Sequence, residues 1–409
     1  MLHEPDRHEA RQSIPWDAAR AREVIARIVA DTEASFSPQR YWPAHPLDLD
    51  PGDDAASVAA RLSSGAAGVR GGLDYRHAGG AAAGGGDPLA DPDTLLARNR
   101  EWLNSAGSRD FASYLVGDTP ILLMAYGRQP GAGLADRLAA LIEGNIEHPA
   151  RELMWGAPGT LLAALFLHER DGDVRWANLF RATAARLWSQ LEWSDAHRCH
   201  YWTQDLYGQR STYLDAVHGF VATASPLIRG RHLLASGDWE AWRGCIAETV
   251  TRTATWEGDQ ASWRPLLDVP FERKKLMQFC HGAPGFVICL GDWPDAELDA
   301  VLLAAGRATW AAGPLAKGSN LCHGTGGNGY TFLKLYRRTR DPLWLERARA
   351  FAMHGIAQFE ADAARYGQLR YSLWTGDPGF AIYLWDCVQA QARFPTLDIF
   401  YGAPARWPQ

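Results

Sequence analysis

Almost wholly apolar segments alternate along this chain with longer stretches that are apolar on one side only. The first kind includes Ile121 to Met124, Leu161 to Leu167, Phe286 to Leu290 and Phe380 to Trp385. Segments apolar on every side predict buried helices. The second kind predicts half-exposed helices. Trp176 to Trp193 places Trp176, Phe180, Leu187, Trp188 and Leu191 on one face, with Arg181, Arg186 and Gln190 elsewhere. Asp238 to Trp256 does the same with Trp239, Trp242, Ile246 and Val250, and Leu343 to Phe359 with Leu345, Ala348, Ala352, Ile356 and Phe359. Residues 14 to 35 read as a leading helix. Strict alternation is scarce, which leaves room only for short hairpins within the loops.

A short turn precedes these buried segments, and it recurs. The turns are Gly65-Ala-Ala-Gly68, Gly117-Asp-Thr-Pro120, Gly156-Ala-Pro-Gly159, Gly219-Phe-Val-Ala222, Gly282-Ala-Pro-Gly285, Gly324-Thr-Gly-Gly327 and Gly376-Asp-Pro-Gly379. The fourth, ending in Ala222, is the loosest match. Starting glycines recur every 39 to 63 residues, a period that without a sheet signature means one helical pair per unit. Two further turns look alike, Arg170-Asp-Gly-Asp173 before Trp176 and Arg340-Asp-Pro342 before Trp344. Each unit therefore reads as loop, buried helix, turn and half-exposed helix. Seven such pairs close into an all-α, double-layered α/α toroid of helical-hairpin repeats, an inner ring within an outer one. Glycines opening the inner helices are expected to allow close approach and positive φ, and Pro158, Pro284 and Pro378 fit a helix's first turn. A single toroid domain is expected over 61–409, after an N-terminal helical extension at 1–60. The Gly/Pro-rich stretch 77–93 reads as a flexible insertion.

Length and composition narrow the function. At 409 residues and 47% apolar content the chain can bury one large core. The formal charge of -6 comes from interspersed acidic and basic residues, which argues against nucleic acid or an anionic membrane as partner. No run approaches the roughly 18 apolar residues of a membrane span, and the polar start MLHEPDRHEARQS is no signal peptide. Six cysteines without a tight framework point to a reducing cytoplasm, where a matched pair serves a metal sooner than a bridge. The eighteen tryptophans read mostly as wedges between helices.

Chemistry concentrates at the turns. Cys280 and Cys322 each stand two residues before the first glycine of their turn, and His218, His281 and His323 one before. If equivalent loops meet at one end of the fold, these side chains converge. Catalytic zinc sites use three Cys, His or carboxylate ligands and keep a fourth position open. Cys280, Cys322 and His323 supply such a set, and thiolates favour zinc. The other four cysteines read as small buried hydrophobes. His281 is either a support beside a ligand or a loop histidine capping a helix.

These motifs resemble the lanthionine synthetase C-like family. The matching stretches are Phe279-Cys-His-Gly-Ala-Pro-Gly285, Leu321-Cys-His-Gly324, Ala216-Val-His-Gly219 and Glu152-Leu-Met-Trp-Gly156. Lys317-Gly and Ser372-Leu-Trp-Thr-Gly376 look similar to its free-standing, eukaryotic-type, glutathione-binding branch. The resemblance runs from about Gly65 to the C-terminal helix. It implies a double-layered toroid with one zinc at its centre, on the counterparts of Cys280, Cys322 and His323. Phe279 stands where Trp is commoner, and Val221-Ala222 replaces a turn's second glycine. Neither departure touches an expected ligand.

Implied with the resemblance is addition of a thiol, from glutathione or a peptide cysteine, to dehydroalanine or dehydrobutyrine. A thiol on zinc loses its proton readily, and the thiolate attacks the β-carbon to give a thioether. The resulting enolate needs an acid, for which His218 is the best placed; a helix-capping histidine is the alternative. The resemblance gives Glu152 a part in proton handling or in orienting that histidine, against a plain helix-end salt bridge. Lys317 is matched to a group that binds a substrate carboxylate or steadies the enolate oxygen, against a plain solvated loop lysine. Arg370 is matched to a second carboxylate holder, with Arg365 competing for the match. Asp205 and Asp215 read as structural. Glutathione-type addition is favoured over a lanthionine-forming peptide cyclase, and over a non-catalytic glutathione- or partner-binding toroid, because the local motifs match the free-standing branch. A glycosidase toroid would need two carboxylates on the central loops, and a prenyltransferase-like one an Asp ligand; neither is evident.

Overall fold

A computed structural model describes residues 1–49, 65, 67–72 and 91–400. Fourteen α-helices occur among the described residues. Seven form an inner ring: α2 (67–72), α4 (Thr119–Arg128), α6 (Ala157–Asp171), α8 (Phe220–Arg229), α10 (Ala283–Leu290), α12 (Thr325–Thr339) and α14 (Asp377–Gln389). Seven lie outside: α1 (Ala18–Ala34), α3 (Pro92–Ser105), α5 (Ala132–Asn145), α7 (Val174–Ser189), α9 (Ser236–Thr253), α11 (Asp299–Ala312) and α13 (Pro342–Tyr366). Inner helices pack side by side in chain order from α4 to α14, and α5, α7, α9, α11 and α13 each return against the inner helix before them. The result is the double-layered α/α toroid.

Closure of the ring uses both ends of the described chain. Gly71 and Gly72 of α2 share a cavity with Met124 of α4 and Ile382 of α14, which places α2 at the seam. α1 packs on α14 and α13. The helix from the segment expected as an N-terminal extension thus serves as outer partner to the last inner helix. Of the expected insertion 77–93, only 91–93 are described, and Pro92 begins α3; the remainder lies outside the described residues.

Burial follows the hydrophobic pattern. α10 is buried along its whole length, as is α6 from Ala157 to Leu167. On α7 the buried face holds Trp176, Phe180 and Leu187, but Trp188 is 39% exposed. It lies edge-on to Trp242, with ring centroids 4.9 Å apart. Packing against a neighbouring aromatic at the edge of the face is enough to satisfy it, so it leaves the predicted core. Trp256 lies beyond the end of α9, on a strand. Among the described residues three antiparallel hairpins decorate the loops: β1 (Glu192–Ser194) with β2 (Cys199–Tyr201), β3 (Gln204–Leu206) with β4 (Gln209–Ser211), and β5 (Ala254–Glu257) with β6 (Gln260–Trp263).

Pro158, Pro284 and Pro378 sit in the first turns of α6, α10 and α14, where a missing N–H costs nothing. Among the described turn-leading glycines only Gly282 has a positive φ, 99°. The expectation of positive φ at these starts holds there alone. The other requirement is space. At Gly327 an added Cβ would stand 1.9 Å from the Leu321 carbonyl oxygen, because the loop carrying Cys322 lies directly on the first turn of α12.

After α14 the chain turns into the middle of the inner ring and fills it. Phe394 stacks on Phe279 with centroids 4.4 Å apart. The Thr396 carbonyl accepts from the Tyr114 hydroxyl at 2.6 Å, and its Oγ1 from the Trp374 indole at 3.0 Å. Arg229 of α8 donates to the Leu397 carbonyl, and Lys334 of α12 pairs with Asp398 at 2.7 Å. This segment forms a floor under the loops, since Phe279 is the residue before Cys280.

Candidate functional site

The loops that open the inner helices are tied into a rim by their own backbones. Leu115 N–H donates to the Met154 carbonyl at 3.4 Å, Leu153 to Val217 at 3.2 Å, Cys280 to Cys322 at 3.2 Å, and Cys322 to Trp374 at 2.7 Å. Except for Leu153, which stands one residue earlier, every partner stands two residues before its turn glycine. Buried peptide groups that are neither helix nor strand need partners, and the equivalent group of the next loop supplies one. The shared register thereby becomes shared location.

Two carboxylate–imidazole pairs sit on this rim, each spanning one repeat step. Glu152 Oε2 lies 2.8 Å from His218 Nδ1, and Asp215 Oδ2 lies 2.7 Å from His281 Nδ1. Both acids stand four residues before a turn glycine and both histidines one before the next. The acids are fully buried while the rings remain partly open. Glu152 also accepts from the Met154 and Trp155 N–H groups, and Asp215 Oδ1 from those of Val217 and His218. Both carboxylates therefore arrive held in place.

Electrostatics follow from this geometry. Burial pulls the His218 pKa down, but the hydrogen bond and charge of Glu152, helped by Asp215 and Cys280, outweigh it and raise the value to about 9. The ring is thus an imidazolium at neutral pH, a proton donor. His281 is raised in the same way: burial opposes the charge and Asp215 overrides it. Asp215 itself is destabilised by burial, yet His281 and His218 hold its pKa below the ordinary range. Tyr213 lies beside both rings, at 5.5 Å from His218 and 6.2 Å from His281.

The cysteines meet as their register required. The Cys280 and Cys322 thiols interact, and that contact followed by burial pushes the Cys280 pKa well up. Gln278 Nε2 donates to Cys280 Sγ at 2.9 Å. His323 is not drawn into the same cluster: no three His, Cys, Asp or Glu side chains gather at metal-binding range among the described residues. Its backbone N–H is held by Asn320 Oδ1 at 3.1 Å, and its ring has no hydrogen-bond partner among the described residues. Burial, then the charges of Lys317 and Arg370, lower its pKa to about 4. A neutral imidazole is the form that ligates a metal. The donor chemistry suits a thiophilic ion, with two soft sulfurs side by side and a neutral imidazole on the adjoining residue.

Lys317 and Arg370 line one small cavity with His45, Leu47, Asn320 and Thr375. Lys317 is exposed and makes no side-chain hydrogen bond or ion pair among the described residues. Arg370 pairs with Asp48. Arg365 instead lies over the Tyr366 ring, 5.2 Å from its centroid, so Arg370 is the one that faces Lys317. Asp205 is on β3, opposite Arg210, and its N–H donates to the Pro149 carbonyl; it does not join the rim cluster. The pairing of Asp215 with His281 and the place of Tyr213 were missed from sequence. The first had a signal, because Asp215 repeats the position of Glu152 relative to the next turn.

The family model of lanthionine synthetase C-like proteins matches residues 132–399. The chain is similar to a Danio rerio protein named glutathione S-transferase LANCL1, 26% identical over 332 residues, covering 76% of this chain and 80% of that one. It is also similar to the Arabidopsis thaliana LanC-like protein GCL1, 33% identical over 136 residues, 31% of each chain. Among solved structures, nisin cyclase superposes with a TM-score of 0.54 at 14% identity, covering 90% of this chain and 98% of that one. That likeness speaks for the fold alone.

Proposed function

Since this chain belongs to the lanthionine synthetase C-like family, we propose that it adds a thiol, glutathione foremost, to dehydroalanine or dehydrobutyrine in a peptide or protein. The S–H adds across the carbon–carbon double bond: sulfur joins the β-carbon, a proton ends on the α-carbon, and nothing leaves. Cys280, Cys322 and His323 would hold one zinc ion. When bound, zinc supplies the acidity that makes a coordinated thiol a thiolate at neutral pH.

The remaining work falls to the chain's own side chains. His218, kept charged by Glu152, gives its proton to the α-carbon as the enolate collapses. Glu152 fixes it through Nδ1, and the ring remains partly open. Asp215 holds His281 in the same manner beside Cys280 and orients it without meeting substrate. Lys317 and Arg370 receive carboxylates of the thiol substrate. The observation that carries this reading is one rim on which paired thiols stand beside an imidazolium held by a buried carboxylate. The glutathione preference is supported by the name of the Danio rerio relative and by Lys317 and Arg370 on one cavity, which Asp362 and Asp377 also line.

The test is to incubate zinc-loaded protein with glutathione and a dehydroalanine peptide. A product heavier by the whole mass of glutathione is expected. No adduct would refute the enzymatic reading. A peptide carrying its own cysteine that cyclised instead, without mass change, would point to ring formation.

A further inference from the structure

The guanidinium assigned above to a substrate carboxylate already holds one from this chain. Arg370 Nε and Nη2 both donate to Asp48 Oδ1, at 2.9 and 2.5 Å, and Nη2 lies 3.5 Å from the Leu47 carbonyl. Asp48 comes from a short strap on the far N-terminal part of the chain, a 3-10 turn at Pro46–Asp48 opened by His45. The strap rests on the 366–375 segment with His45 buried and Asp48 Oδ1 also 3.5 Å from Thr375 Oγ1. Gln368 donates to the Ala44 carbonyl at 3.1 Å, and the His45 ring meets Tyr366 edge-on at 4.7 Å. Leu47 is 52% exposed.

Arg370, in contrast, is firmly placed. Its backbone N–H donates to Asp377 Oδ2 at 2.7 Å and its carbonyl accepts from Asp377 N–H at 2.9 Å. The Arg370 backbone is thus held independently of the strap. With the strap down, the cavity that Lys317 and Arg370 share measures about 20 Å³, room for a water molecule and not for a tripeptide.

We propose that Asp48 is an internal stand-in for the substrate carboxylate. The strap at residues 44–48 caps Arg370 until a carboxylate-bearing thiol displaces it. This rests on the reading that Lys317 and Arg370 anchor such a thiol. A short tether keeps Asp48 at an effective concentration of order millimolar, so a ligand carboxylate competes on even terms, aided by Lys317. Thiols lacking a carboxylate leave the strap in place, and the strap thereby sorts thiols by the group that opens it.

Calorimetric titration of the full chain with S-methylglutathione, which keeps the carboxylates and cannot react, tests this directly. Asp48→Asn should tighten binding about three- to tenfold, while cysteamine, a thiol without a carboxylate, binds wild type and variant alike. In an Arg370→Ala background the Asp48 change should have no effect. Equal or weaker binding by Asp48→Asn, or no binding to either protein, overturns the strap. Tighter binding combined with a negative adduct assay on wild type would keep the strap and sink the proposed reaction.

Discussion

Replacing Glu152 by Gln removes the charge that holds His218 protonated while keeping the side chain's shape, its one amide oxygen able to accept either the Met154 or the Trp155 N–H, which Glu152 receives on separate oxygens. The rise of the His218 pKa from 6.5 to about 9 corresponds to about 3 kcal/mol in favour of the charged ring, at ~1.4 kcal/mol per pH unit. A pKa raised by folding stabilises fully below the unfolded value of 6.5 and is lost as pH rises through about 9. Wild type should therefore lose stability between pH 6.5 and 9, and the variant should lack that slope. In Glu152→Gln burial is opposed only by the weaker effects of Asp215 and Cys280, so the ring's pKa falls toward 6.5. At pH 7.5 the protonated fraction then drops from nearly all to about a tenth, and thioether formation should fall about tenfold or more, recovering toward pH 6. Ring-proton NMR of His218 gives the titration independently of turnover, and the pH–rate profile gives the chemistry. A variant that still titrates near pH 9, or whose alkaline limb does not move, would refute the assignment of Glu152 as the source of that charge.

Metal analysis of wild type should find one zinc per chain, and Cys322→Ala should lose it; a full complement in the variant removes Cys322 from the ligand set. His218→Ala should retain zinc and lose thioether formation by about a hundredfold or more, and undiminished turnover would exclude it as the acid. Lys317→Ala combined with Arg370→Ala should weaken glutathione binding at least tenfold and leave cysteamine binding unchanged, as titration would show. Gly327→Ala forces a methyl to within 1.9 Å of the Leu321 carbonyl and should cost about 3 kcal/mol or more in urea unfolding; a neutral effect would mean that the loop bearing Cys322 is free to shift.

The helical repeat was legible in the linear chain because its causes are local. Segments apolar on all sides must be buried, a glycine three residues past the turn admits a crossing loop, and a first-turn proline opens a helix. The meeting of Cys280 with Cys322 was legible for the same reason, since equal register in a closed ring means equal place on its rim. Other features depended on long-range closure. No local pattern shows that α1 would supply the outer partner of α14, or that 391–400 would turn inward to fill the ring, because both depend on which surfaces remain uncovered once the other helices pack. The carboxylate–imidazole pairs join residues 66 positions apart, and the charge on His218 comes from burial set against Glu152, a balance that exists only in the folded rim. Asp48 reaches Arg370 across 322 positions. Residue types named the chemistry available at these loops, while three-dimensional packing chose which acid faces which base and which cation is already taken.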